Sequence, residues 1–147
     1  MSVAARLIAK FGDPIKDPAS FEKANLTVWT VPANLAAKLP FKKIYCNKYL
    51  VKPLEEVFKR LDEKGLLSEI KTFDGCFNIR KVRGSATEPS VHSWAMAVDF
   101  NAKENGLGMP VKFSKAFLDV WRECGWTCGA DFKRLDGMHF QYTPLTL

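Results

Sequence analysis

Residues 90–101 read Ser90-Val91-His92-Ser93-Trp94-Ala95-Met96-Ala97-Val98-Asp99-Phe100-Asn101. The second half of this stretch, Met96–Asn101, predicts a strand, whose alternation turns Ala97 and Asp99 to one face. A matching segment lies near the C-terminus, Asp136-Gly137-Met138-His139-Phe140-Gln141-Tyr142. There Met138–Tyr142 predicts a strand with His139 and Gln141 on a shared face. The chain has two histidines, and each sits in one of these segments.

The surrounding elements set the fold class. Residues 2–11 suit a short helix stopped by Gly12-Asp13-Pro14. Leu26–Val31 (LTVWTV) is β-branched and aromatic and ends at Pro32, which predicts a strand. Pro53–Lys64 gives the clearest helical pattern, with Leu54, Val57, Phe58 and Leu61 on one face, Pro53 suited to the first position and Gly65 beyond the end. Glu69–Phe73 and Cys76–Ile79 flank Asp74-Gly75, a hairpin-turn dipeptide. A further helix is expected from a Ser114 cap to Cys124, with Phe117, Leu118 and Trp121 apolar and Gly125 just past it. No repeat or linker-like stretch is evident. The expectation is one α+β domain over residues 1–147, with helices packed on a small, mainly antiparallel sheet.

The bulk properties exclude more than they assign. A chain of 147 residues with 47% hydrophobic and 26% charged residues can bury a core without staples. The net charge of +6 favours polyanions in general. The positive charges are scattered apart from Lys42–Lys43 and Arg80–Lys81–Arg83, so no nucleic-acid partner is expected. No segment approaches the ~20 apolar residues of a bilayer span, and the N-terminal stretch, broken by Arg6 and Lys10, does not read as a secretory signal. Cys46, Cys76, Cys124 and Cys128 follow no secreted-scaffold spacing and read as free thiols; the one close pair, Cys124 and Cys128, is a weak zinc signal.

Two imidazoles and a carboxylate meet the needs of a catalytic zinc site, which takes three protein ligands and leaves a position for water. Taken alone, a His-x6-Asp spacing says little, and a lone histidine is more often a core or surface residue than a ligand.

SVHSWAMAVDFN followed by DGMHFQ resembles the Ser-x-His-x6-Asp … Asp-x-x-His signature of the zinc peptidases that act as D-alanyl-D-alanine carboxypeptidases and L-alanyl-D-glutamate endopeptidases. KIYCNKYLVKPLEEVFKRL, EIKTFDGCFNIRKVRGS, NGLGMPVKFS and GWTCGADFKRLDGMHFQ extend the likeness, in order, to the small single-domain members that phages use for lysis. The resemblance implies the fold of hedgehog and D-Ala-D-Ala peptidases and a Zn2+ ion held by His92, Asp99 and His139. It also implies a catalytic carboxylate at Asp136 and an arginine for substrate or transition state at Arg80, with Arg83 the second candidate. Ser90, Trp94 and Gln141 are the expected substrate-side or supporting groups; for Trp94 a core position is the default. Asp131 reads as a structural hydrogen-bonding residue and Asp74 as part of its turn.

The resemblance further implies a monomeric peptidoglycan peptidase without a separate wall-binding domain. It would stay in the host cytoplasm until lysis and then act on stem peptides of the wall as an L-alanyl-D-glutamate endopeptidase. The alternatives are a D-alanyl-D-alanine carboxypeptidase and a non-catalytic wall-binding or virion module. Two departures stand out: Ala95 replaces the usual glycine, and Phe132 the usual tryptophan, the latter expected to affect packing alone. If position 95 needs a positive φ, alanine adds strain of about 1 kcal/mol.

Overall fold

The computed structural model describes residues 1–147. In chain order the elements are α1 (Val3–Phe11), α2 (Pro18–Asn25), β1 (Leu26–Thr30), α3 (Ala33–Ala36), β2 (Lys43–Asn47), α4 (Val51–Glu63), β3 (Phe73–Gly75), β4 (Ala97–Phe100), α5 (Lys115–Glu123), β5 (Thr127–Cys128) and β6 (His139–Gln141). The architecture is α+β, as expected. Every pairing is antiparallel, but the strands divide into two sheets, β1-β2 and β3-β4-β6-β5.

Local chemistry accounts for the helix ends. Ser2 caps α1 by accepting from Ala5 N, and Gly12 ends it at φ 86°. Ser114 caps α5 by accepting from Phe117 N. These oxygens satisfy amides that have no partner inside the helix. Helix α4 begins at Val51, not Pro53. Pro53 is its third residue, still within the first turn, where a missing N–H costs no intrahelical bond.

The hairpin expected at Asp74-Gly75 does not form. Both residues belong to β3, which pairs across long range with β4, Phe73 opposite Phe100 and Gly75 opposite Asp99, with a register shift between. Gly75 supplies the positive φ of 128° at this irregularity. The Asp74 carboxylate accepts from Thr72 Oγ1 and Ala102 N, each at 2.8 Å, fastening β3 to the end of β4. Pairing with a central strand has overridden a local turn preference.

The four-stranded sheet has one dry face and one polar face, and this division positions the site. Val98 and Phe140 are register partners, and so are Asp99 and His139, and Ala97 and Gln141. Alternation therefore sends Val98, Phe100 and Phe140 to the core and Ala97, Asp99, His139 and Gln141 to the other side. On the core side, Phe100 lies 6.1 Å from Phe58 of α4 and 5.9 Å from Trp121 of α5, centroid to centroid, and Phe140 lies 4.4 Å from Trp121. These rings belong to a contiguous buried cluster reaching from Leu7 to Phe140. The strands that carry the polar groups are thus held rigidly from behind.

The thiols are free, and Cys46, Cys76 and Cys128 are buried. Burial pushes Cys46 and Cys128 up to about 12, which removes them as nucleophiles near neutral pH.

Candidate metal centre and cleft

His92 is brought to the sheet by a single 3-10 turn, Val91–Trp94. Ser90 caps this turn, its Oγ accepting from His92 N at 3.3 Å. The turn closes through Ala95, which lies in the left-handed region at φ 55°, ψ 36°. The adjacent Asn47 clamps the exit: its Nδ2 donates to Trp94 O at 3.1 Å and its backbone N to Ala95 O at 3.1 Å. The chain can then enter β4 with Asp99 facing His92.

The departure at Ala95 can be weighed. An L-residue in this conformation costs roughly 1–2 kcal/mol. Glycine would remove that cost, but it would lose about 0.8 kcal/mol from one buried methyl and roughly 0.4–1 kcal/mol through a freer unfolded chain. Because Ala95 is fully buried, these contributions nearly cancel. Ala95→Gly is expected to change unfolding stability by less than about 1 kcal/mol, whereas Ala95→Val should lose about 3 kcal/mol because a branched side chain is excluded there. Denaturant titration of both variants checks this; a large gain for glycine would show that strain dominates.

His92, Asp99 and His139 converge, with one ligand atom from each lying within 4.8 Å of the others. His92 Nε2 is 3.2 Å from Asp99 Oδ1, and His139 Nδ1 is 3.4 Å from the same oxygen. The far nitrogens are engaged as well. His92 Nδ1 sits 2.7 Å from the Cys76 carbonyl oxygen and His139 Nε2 sits 2.8 Å from Gln141 Oε1. Both histidines are buried. Burial pushes the Asp99 carboxyl up, but hydrogen bonds from His139 and His92 and their charges outweigh it, bringing Asp99 to about 2. For His139, burial acts downward, and the Asp99 carboxylate overcomes it to raise the pKa. An anionic oxygen between two imidazoles whose outer nitrogens are already spoken for is the donor chemistry of a two-histidine, one-carboxylate site for a divalent cation.

Asp99 and His139 open onto a cleft of about 330 Å³ that Asp136, Arg80 and Arg83 also line. Asp136 sits at the turn into β6. Its backbone N donates to Gly129 O and its O accepts from His139 N, both at 3.0 Å. Burial raises the pKa of its carboxyl, opposed by the charges of His139, His92 and Arg83. Arg80 is fixed through its backbone: Ser93 Oγ donates to Arg80 O at 3.0 Å and accepts from Arg80 N at 3.2 Å. Arg83 is exposed at the rim.

Ser90, Trp94 and Gln141 border the cleft, but each has its polar group engaged within the protein. Ser90 Oγ caps the turn, Trp94 Nε1 donates to Gly12 O at 2.9 Å, and Gln141 meets His139. Trp94 is buried, in keeping with its default core assignment. Phe132 was expected to affect packing alone; it lines the cleft, its ring 5.7 Å from that of His139. Asp131 pairs with Arg122, which donates from Nε and Nη2 at 2.9 and 2.7 Å.

Several contributors escaped the sequence reading. Arg134 reaches the cleft as a third guanidinium, from a loop with no periodicity to mark it. Cys76 acts through a main-chain carbonyl, Asn47 and Ser93 through long-range bonds, and Gly129 through close approach. No motif encodes such contacts.

A buried two-histidine, one-carboxylate cluster beside a free carboxylate in an arginine-lined cleft has the parts of a metal-dependent hydrolase. Residues 83–142 match a family model described as D-alanyl-D-alanine carboxypeptidase. The matched stretch contains His92, Asp99, Asp136 and His139 but not Arg80. No curated protein and no solved structure matched the chain.

Proposed function

We propose that this chain is a zinc peptidase that cleaves peptidoglycan stem peptides, acting as an L-alanyl-D-glutamate endopeptidase in phage-driven lysis. The observation that carries the reading is the convergence of His92, Asp99 and His139 at a cleft shared with Asp136, inside a stretch that matches a peptidase family. The resemblance to small phage lysis enzymes supports the finer assignment, and the net charge of +6 suits an anionic envelope.

His92, Asp99 and His139 would hold the ion. When bound, zinc supplies Lewis-acid polarisation of a peptide carbonyl and makes water more acidic. The Asp136 carboxylate takes the proton from the attacking water and delivers it to the leaving amine. Its partial burial suits this exchange, since a raised pKa brings a carboxylate closer to a base that can also return a proton. Arg80 has its backbone pinned by Ser93, its Nη1 donates to Lys81 O at 3.2 Å, and from the cleft wall its guanidinium would serve the developing oxyanion. Arg83 and Arg134 give the rim affinity for the carboxylates that stem peptides carry. Phe132 adds an apolar ring to the cleft wall, 5.7 Å from that of His139.

The matched family's description favours a second reading, a carboxypeptidase that releases terminal D-alanine. Digestion of purified peptidoglycan separates the two: new D-glutamyl amino termini support the endopeptidase, and free D-alanine the carboxypeptidase. Release of neither product by the zinc-loaded chain would overturn both. His92→Ala is expected to lose stoichiometric zinc together with activity. Normal zinc content by elemental analysis, with normal turnover, would remove His92 from the site.

A further inference from the structure

The two imidazoles present different nitrogens to the centre, and the structure shows what selects each. His92 faces Asp99 with Nε2, and its Nδ1 lies 2.7 Å from the Cys76 carbonyl. A carbonyl oxygen only accepts, so Nδ1 carries the proton and Nε2 keeps its lone pair. His139 instead faces Asp99 with Nδ1, and its Nε2 lies against Gln141 Oε1 at 2.8 Å. That partner is an amide, which can offer either an oxygen or an NH2 group. If the NH2 group faced His139, Nε2 would accept, the ring proton would move to Nδ1, and the ligand position would be blocked.

The second end of the amide meets Thr143. Gln141 Nε2 donates to Thr143 Oγ1 at 3.1 Å, and both residues are buried. Thr143 is itself held by Arg6 of α1, whose Nη2 donates to the Thr143 carbonyl at 3.2 Å. Resting on the reading that the centre binds a divalent cation, we infer that Gln141 and Thr143 are positioning residues that set the His139 tautomer for metal binding. With threonine present, the productive amide orientation satisfies both ends. With an apolar residue at 143, that orientation would bury N–H groups without an acceptor. The flipped amide would bare only a carbonyl, the less costly defect. Metal binding would then have to reverse the flip.

The test is zinc affinity of the full chain at fixed pH, by competition with a chromophoric chelator, with circular dichroism and melting of the metal-free variants confirming the fold. Gln141→Leu removes the acceptor and should weaken zinc binding by about 10–100-fold. Gln141→Glu keeps an acceptor that cannot flip and should stay close to wild type. Thr143→Val should weaken binding several-fold in the Gln141 protein but not in the Gln141→Glu background, and Thr143→Ser should restore it. Wild-type affinity in Gln141→Leu would overturn the inference, as would an equal loss from Thr143→Val in both backgrounds. A wild-type chain that takes up no zinc would instead defeat the metal reading beneath it.

Discussion

Asp136→Asn is expected to lower peptidase turnover by about 10²–10⁴-fold, the range typical of a lost general acid–base group, while zinc content and melting temperature stay near wild type. The expectation of unchanged stability comes from how the residue is held. Its fixed contacts are made by the backbone, through Gly129 O and His139 N, and asparagine preserves both. The side chain, in contrast, feels burial and the charges of His139, Asp99, His92 and Arg83, without a hydrogen bond to any of them. Asp99, Asp119 and Asp131 all have hydrogen-bonded basic partners. A half-buried carboxylate without such a partner adds little to stability, and its position beside His139 and Asp99 in the cleft suits proton transfer. Steady-state kinetics on a defined stem peptide, paired with metal analysis, checks this. Full turnover would remove Asp136 from the chemistry, and loss of zinc would make it a structural support for the ligands.

Gly129→Ala should be the most damaging single-methyl change in the molecule. A Cβ there would overlap the Asp136 carbonyl oxygen and stand 2.9 Å from its carbonyl carbon and 3.0 Å from His139 Cβ. Because the obstacle is backbone, no rotamer change can relieve it. Overpacking costs about 1–3 kcal/mol in general, and this site should reach or exceed the upper end, about 10 °C in melting temperature for a chain of this size. The same displacement would move Asp136 and His139 together, so zinc affinity and turnover should fall with stability. Thermal melts with and without zinc provide the measurement. A melting temperature within a degree or two of wild type would show that the turn before β6 can relax.

The strongest sequence signals were those carried by neighbours in the chain. The apolar face of α4 (Leu54, Val57, Phe58 and Leu61) is buried as its spacing predicts, because helical periodicity expresses geometry within a few residues. The Ser114 cap and the Gly12 and Gly125 stops were legible for the same reason. Strand alternation placed Ala97 with Asp99 and His139 with Gln141 on shared faces before any fold was known. The Asp74-Gly75 turn failed because β4 competes for the same backbone groups, and that competitor lies more than twenty residues away.

The sequence by itself determined the donors: two imidazoles, a neighbouring aspartate and one more carboxylate, each on a segment of predictable local form. Only the tertiary structure decided that β4 and β6 pair so that Asp99 stands opposite His139. It also decided that a left-handed Ala95 swings His92 to within reach, and that Gly129 leaves room for the Asp136 turn. Side-chain type and local spacing are properties of the chain. Register between distant strands, the choice of imidazole nitrogen and the contents of a cleft depend on which remote groups share a buried space. That is settled only when the apolar faces of the sheet and helices close on one another.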